Sequence, residues 1–144
     1  MANIIYTSYL QHLLSGTIDV TSDPIYAMLL SGTYTPNTGH SLVADITAYE
    51  VVDTAVSPIY EQGGLELTNK TVSVVAGEVV FDAADVSWSP STITASGIAL
   101  WTSGASAADH HLLSWTELGN TSSTNGTFQV VWSPSDGVFK VGVS

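Results

Sequence analysis

The 144-residue sequence contains no cysteine and no arginine, and Lys70 and Lys140 are its only lysines. Without cysteine the chain can form neither disulfides nor thiolate metal ligands. Thirteen Asp and Glu residues give a formal net charge of −11. Proteins that bind nucleic acids or anionic membranes attract phosphates with clustered Lys and Arg, so we expect neither kind of partner.

Long apolar runs are also missing. No run approaches the ~20 residues that span a bilayer, and no Lys or Arg precedes Lys70. A secretory signal begins with positive charge, so export through a standard signal is not expected. Charged residues make up only 10% of the chain, against roughly 25% in an average soluble domain. Such a surface favours an oligomer or an assembly component, the alternative being a monomer that uses hydroxyl groups for solubility.

Short β-prone runs separated by turn residues fill most of the sequence. Val, Ile, Thr and aromatic residues alternate with small or polar residues, as half-buried strands require. Between 63 and 101 the predicted strands are 64–68, 71–75, 78–81, 86–88 and 91–101. Elsewhere they are 18–20, 25–30, 49–52, 111–118, 127–132 and 138–143.

The N-terminal segment differs from the rest because its apolar residues fall near helical spacing. They predict a helix over 3–15, and Gly16 is well placed to end it. Its apolar stripe is expected to pack on the chain's own sheet or on a neighbouring subunit. With eight to ten short strands, the pattern predicts one all-β domain over 1–144. The expected architecture is an antiparallel β-sandwich or jelly-roll-like barrel with a short N-terminal helix in the segment 1–16.

Asp109, His110 and His111 form the most prominent cluster of reactive side chains. A metal site or a general base would need further groups from elsewhere, such as His12, His40 or Asp45. Adjacent residues of a strand point to opposite faces, so His110 and His111 could not serve one site in an extended segment. We therefore expect a solvated loop and no metal. Protonation of the two histidines could tune an interface.

Asp82 and Asp85 are the most suggestive pair of carboxylates. A calcium ion needs six or more oxygen ligands, and a glycosidase needs carboxylates opposed across a cleft. Carboxylates that cap a turn between two strands fit the pattern better. No nucleophile elbow and no phosphate-binding glycine loop is present. The sequence therefore predicts a protein that is not an enzyme and holds no cofactor.

Four tryptophans, which stack on sugars in many carbohydrate-binding proteins, keep a glycan-binding function open. All four lie within or at the ends of predicted strands, where a core or subunit-interface position is the expectation. The residues are Trp88, Trp101, Trp115 and Trp132. A glycan-binding module predicts exposed Trp or Tyr side chains in a groove, whereas a structural protein predicts them buried or at subunit contacts.

The order of several short motifs resembles a group of small virion proteins of tailed bacteriophages. Thr-Ser-Asp-x-Ile-x-x-x-Leu-Leu at 21–30 is followed by Tyr-Thr-Pro-Asn at 34–37 and by Gly-Gly-x-x-Leu-x-Asn-Lys-x-Val at 63–72. Val-Phe-Asp-Ala-x-Asp-Val-x-Trp at 80–88, Ser-x-Ile-Thr-Ala at 91–95 and Asn-Gly-Thr-Phe-x-x-x-Trp at 125–132 complete the series. The resemblance covers nearly the whole chain.

This resemblance implies a structural protein, most simply a capsid decoration or cement protein. It would be made in the host cytoplasm and would bind the major capsid protein on the outer surface of the virion, as a homotrimer. The alternative is a receptor- or glycan-binding module or another tail or head-tail component. We expect the interface to use the N-terminal segment and strand-edge aromatics. The candidate residues are Ile5, Tyr6, Tyr9, Leu10, Leu13, Tyr34, Tyr60, Trp101, His110 and His111.

Overall fold

The computed structural model describes residues 3–104 and 109–142. Within these ranges the chain forms an all-β sandwich of antiparallel strands with one α-helix near the N-terminus. None of the described helices is both long and apolar enough to cross a membrane. The elements are β1 (Asn3–Ile5), α1 (Thr7–Ser15), β2 (Ile25–Leu30), β3 (Leu65–Glu66), β4 (Thr71–Val75), β5 (Glu78–Asp82), β6 (Val86–Ser91), β7 (Thr94–Thr102), β8 (His111–Ser122), β9 (Gly126–Val130) and β10 (Phe139–Val141).

The strands form three antiparallel sheets. The largest has the order β1-β8-β7-β2-β3, the second β10-β5-β4, and the third pairs β6 with β9. In the largest sheet Ala99 of β7 lies opposite Trp115 of β8 and Met28 of β2. Two short 3-10 turns, Val43–Asp45 and Thr47–Tyr49, lie in the long connection between β2 and β3.

Strand β2 explains why the core has two parts. Its sequence is apolar on both faces, and successive side chains of a strand point in opposite directions. Ile25, Ala27 and Leu29 face the larger cluster, which lies among the three sheets and α1. Met28 and Leu30 face a smaller cluster under the connection that follows β2. A strand covered on both sides reads as a continuous apolar run, as this one does.

The N-terminal segment corrects the prediction of a helix over 3–15. Asn3–Ile5 is strand β1, which pairs with β8 and places Ile4 opposite Trp115. The β-branched Ile4 and Ile5 suit this sheet edge. The helix begins only at Thr7, and its end is as predicted: Gly16 adopts a left-handed φ of +73° and its N–H donates to the carbonyl of Leu13.

Two other predicted strands were wrong. Residues 18–20 form a turn because Asp19 and Asp23 bind the local backbone: Thr21 N donates to Asp19 Oδ1 at 2.9 Å, and Asp19 N donates to Asp23 Oδ2 at 2.8 Å. Residues 49–52 contain only one bridge, between Glu50 and Leu30. The all-β fold class and the bounds of β2 and β4 were predicted correctly.

Candidate interaction surfaces

The structure places half of the ten predicted interface residues inside the protomer. These five aromatic side chains are at most 8% exposed, so they form its core and leave little area for a partner; they are Tyr6, Tyr9, Tyr34, Tyr60 and Trp101. Leu13 is exposed on α1. The remaining four, Ile5, Leu10, His110 and His111, are half-buried. The ten residues therefore do not form one continuous surface.

The buried tyrosines hold the start of α1 to the loop that follows β2. The hydroxyls of Tyr6 and Tyr34 lie 2.8 Å apart, and the Tyr34 hydroxyl lies 3.1 Å from His40 Nδ1. Burial, reinforced by the hydrogen bond to Tyr34, raises the pKa of Tyr6 far above its ordinary value. Burial also raises the pKa of Tyr9 to about 12. These groups stay neutral, as core tyrosines do.

The two adjacent histidines point to different neighbours. The His110 ring lies 4.8 Å from the Trp101 ring, and the His111 ring lies 4.3 Å from the His12 ring of α1. Desolvation, followed by the proximity of His12, lowers the pKa of His111, while Asp109 opposes the shift. In the described ranges no group of three or more His, Asp and Glu side chains is placed to hold a metal ion.

Asp82 and Asp85 bind backbone groups at the ends of strands. Ala83 N donates to Asp82 Oδ1, and Trp132 N donates to Asp85 Oδ1, both at 2.9 Å. The second bond ties the β5–β6 connection to the residues after β9. Asp82 thus binds the backbone locally at the start of the connection, as the sequence favoured, whereas Asp85 bonds to a distant segment and does not cap the turn.

The four tryptophans are core residues. None is more than 8% exposed. Trp101 Nε1 donates to the Gly63 carbonyl at 2.9 Å, and Trp132 Nε1 donates to the Ala84 carbonyl at 3.1 Å. A groove of about 480 Å³ between β8 and the β9–β10 region has Trp132 in its wall, but the side chain presents almost no face to it. A stacking platform for a sugar is thus not formed by these residues.

The most exposed apolar side chains of the β2–β3 connection lie in one loop, residues 51–60, which we call the apolar loop. Val56 is 97% exposed, Val52 is 71% exposed and Ile59 is 40% exposed. Both neighbours of Val52, by contrast, are buried: Val51 and Asp53. The loop thus has an anchored inner side and an apolar outer side.

A buried carboxylate organises the apolar loop. Asp53 Oδ1 accepts hydrogen bonds from Ala55 N at 3.1 Å and Thr92 N at 2.9 Å. Its Oδ2 accepts from Ile59 N at 3.1 Å and Tyr60 N at 3.3 Å. Burial alone would raise the pKa of Asp53, but these four N–H groups outweigh it and hold the pKa below its ordinary value.

Glu50 and Tyr60 fix the two ends of the same loop. Glu50 Oε1 accepts from the Tyr60 hydroxyl at 2.8 Å and from Gly63 N at 2.6 Å. The Tyr60 hydroxyl in turn accepts from Leu29 N of β2 at 2.9 Å. Burial raises the pKa of Glu50, although both hydrogen bonds oppose the shift. The loop is therefore tied to the central sheet.

The sequence pattern did not indicate a site in this loop. It predicted a strand over 49–52 and a connection after it. One signal was present: an Asp whose carboxylate binds the backbone N–H two residues later forms an Asx-turn, and Asp53 is followed by small and turn-forming residues. The bond to Thr92, 39 residues away, could not have been found in the sequence.

Comparisons of the chain with protein-family models, with curated proteins and with solved structures found no match. What the protein does must therefore be inferred from its own surfaces.

Proposed function

We propose that this protein is a non-enzymatic structural component of a tailed-phage virion. Its role is that of a decoration or cement protein, which binds the major capsid protein on the outside of the shell and stabilises it. The observation that carries this proposal is the apolar loop, where Val52, Val56 and Ile59 are exposed on a backbone held by Asp53.

A pre-ordered apolar loop is suited to bind a protein surface. Little conformational entropy is lost on binding because the backbone is already fixed. Full burial of a Val side chain contributes roughly 1.5–3 kcal/mol. A specific contact typically covers roughly 800 Å² on each partner, and weak contacts gain avidity when several copies act together on a symmetric shell.

The distribution of polar and aromatic residues supports a structural role over the alternatives. The net charge of −11 keeps decorated particles apart in solution. A receptor- or glycan-binding module would require exposed aromatic faces, and the four tryptophans are buried. A polysaccharide hydrolase would require converging carboxylates, and Asp82 and Asp85 bind backbone N–H groups instead.

The direct test is co-sedimentation of the purified protein with phage capsids assembled without it. We expect saturable binding and capsids that resist heat better. Val56→Ser should weaken binding about tenfold or more, since one buried Val is worth at least one factor of ten. The matched control is Val131→Ser, because Val131 is also exposed but lies after β9, far along the chain from the loop.

Two results would contradict the proposal at different levels. If the wild-type protein does not bind capsids, the virion role on the shell is wrong, and a glycan array becomes the next experiment. If it binds and Val56→Ser binds equally well, the protein decorates capsids through another surface.

A further inference from the structure

Strand β4 is an open sheet edge. It pairs with β5 on one side, and no described strand pairs with its other side. All five of its residues are exposed. An open edge presents unpaired backbone N–H and C=O groups, which natural proteins usually protect with charge, proline or brevity. Strands β1, β3 and β10 are only two or three residues long, and β6 contains Pro90. Strand β4 has none of these protections.

The side chains of β4 are mainly apolar. We call Thr71–Val75 the valine edge, because three of its five residues are valines; Val74 is 74% exposed. Val74 lies opposite Val79 of β5, and Val72 lies opposite Phe81. On this face the apolar surface continues into a groove of about 290 Å³ between the sheet and α1, lined in part by Tyr9 and Leu13. An apolar surface next to an open backbone edge suits the addition of another strand.

Charge permits a second copy of the same chain at this place, although it opposes one elsewhere on the surface. The molecule carries a net charge of −11, so two copies repel each other over most of their surfaces. The valine edge has no charged side chain. Lys70, immediately before it, donates to the Asp23 carbonyl. Lys140 Nζ lies 3.1 Å from a carboxylate oxygen of Glu78 and 3.1 Å from one of Asp136. Its positive charge therefore partly neutralises the acidic side chains near this sheet.

The hairpin geometry predicts which backbone groups face outward. Ala76 and Gly77 form a two-residue turn with φ of +52° and +83° between Val75 and Glu78. The residues that flank such a turn form a hydrogen-bonded pair, and pairs alternate along an antiparallel ladder. Thr71, Ser73 and Val75 are thus expected to bond to β5. The N–H and C=O groups of Val72 and Val74 are expected to face the open side.

We infer that the valine edge pairs antiparallel with the valine edge of a second copy, about a twofold axis at Ser73. In this register Val72 lies opposite the partner's Val74 in a hydrogen-bonded pair, and Thr71 lies opposite the partner's Val75. Such β-branched cross-strand pairs stabilise a sheet. The two Ser73 residues form the central non-hydrogen-bonded pair. The result is one continuous sheet of six strands across the dimer.

This contact is independent of the proposed capsid role and differs from a trimer. A twofold contact uses the same surface on both copies, whereas a threefold ring requires two different surfaces on each copy. When β4 of one copy pairs with β4 of a second copy, both open edges are used and no third copy can join through them.

The test uses the absence of cysteine from the chain. In a non-hydrogen-bonded antiparallel pair the Cα atoms lie ~4.5 Å apart, within the range that a disulfide spans. Ser73→Cys should therefore form a disulfide-linked dimer rapidly under mild oxidation at micromolar concentration. Ser87→Cys, on an exposed serine of β6, is the matched control and should cross-link at least tenfold more slowly.

A second measurement, the solution mass of the reduced proteins, does not depend on cross-linking. The wild-type protein should have the solution mass of a dimer, twice the 15.1 kDa of one chain. Its dimer fraction should rise with added salt, because salt screens the repulsion between acidic copies. Val74→Lys should weaken association at least tenfold, and Val131→Lys should not. Circular dichroism confirms that each variant is folded.

Two outcomes would overturn the inference. One is a monomeric wild type whose Ser73→Cys variant cross-links no faster than Ser87→Cys. The other is a trimeric mass that Val74→Lys leaves unchanged, which would place the self-contact on other surfaces.

Discussion

At the scale of single residues, one buried and one half-buried carboxylate organise the backbone. Asp53 accepts four N–H groups and Glu50 accepts a hydroxyl and an N–H, and four of these six donors belong to the apolar loop. An ionised carboxylate is the strongest acceptor for such groups, and an unpaired buried N–H is costly. These acids therefore stabilise a surface on which apolar side chains can remain exposed.

Asp53→Asn should test this role. The amide replaces one carboxylate oxygen with a donor that faces backbone donors, so we expect a loss of about 3 kcal/mol in the free energy of unfolding. Chemical denaturation at pH 7 measures it. Glu66→Gln, which removes one charge from an exposed strand residue, is the control and should change stability by less than about 0.5 kcal/mol. Equal losses in the two variants would mean that charge, and not hydrogen bonding, matters.

The same residue predicts a dependence on pH. The pKa of Asp53 is lower in the folded protein than in the unfolded chain. The unfolded chain therefore takes up this proton first, and stability falls as the pH drops below about 4. The free energy of unfolding of Asp53→Asn should fall less steeply with decreasing pH over that range. The difference in slope from the wild type should be at most the contribution of one proton. An unchanged slope in denaturation curves between pH 5 and 3 would contradict the assigned hydrogen bonds.

An added methyl group can destabilise the protein through backbone strain or through a steric clash, and a comparison of Gly64 with Gly16 distinguishes the two. Both have left-handed φ, +84° and +73°. A Cβ on Gly64 would lie 1.7 Å from the Ala27 carbonyl oxygen, whereas a Cβ on Gly16 would meet nothing within 4 Å. Gly16→Ala should cost about 1 kcal/mol from backbone strain alone. Gly64→Ala should cost well over 3 kcal/mol, because β2 and β3 must also separate. Thermal unfolding of the two variants measures the difference.

At the scale of elements, the packing of α1 on β8 brings His12 and His111 together. Their rings lie 4.3 Å apart, with Asp109 and His110 next to His111 in the chain. The pKa of His111 is lowered in the folded protein, first by burial and then by His12. The unfolded chain therefore binds this proton more readily, and stability falls as the pH drops below about 6.5.

Replacement of His111 by Asn should remove this dependence. The free energy of unfolding of the wild type should fall between pH 7 and pH 5, by at most about 1.4 kcal/mol per pH unit from one proton, and the melting temperature should fall with it. His111→Asn should be flatter over the same range. His40→Asn is the control: the segment after His40 runs beside His111, but the His40 ring is bonded to Tyr34. Parallel curves for wild type and His111→Asn would contradict the prediction.

At the scale of the whole molecule, the surface has few charged residues, most of them acidic, and it exposes valines in at least two places. The apolar loop and the valine edge are both free of charged side chains on their exposed positions. Net charge opposes association of copies, and apolar area favours it. The balance between the two depends on pH, since the sequence pI is near 4.2.

Self-association should therefore strengthen as the pH falls from 7 to 5. Light scattering over this range avoids the lower pH at which Asp53 takes up its proton. We expect the apparent mass of the wild type to rise, and Val74→Lys to reduce that rise. A mass that is constant from pH 7 to 5 and insensitive to Val74→Lys would show that the exposed valines do not drive association.

The sequence by itself determined the fold class and several strands. Alternation and turn residues are local properties, so β2 and β4 could be read residue by residue, and Gly16 marked the end of α1. Composition also set the net charge and the absence of disulfides. These features depend on each residue and its near neighbours, which is why pattern alone predicts them.

The tertiary structure alone decided which apolar residues became surface. Tyr6 and Tyr34, 28 positions apart, bond to each other in the interior, while Val56 and Val74 remain outside. Asp53 meets Thr92 only because the apolar loop packs beside the end of β6. Burial depends on contacts between distant segments, and a strand's open side depends on sheet order. Neither is encoded in a local pattern, so the two interaction surfaces emerged only from the folded chain.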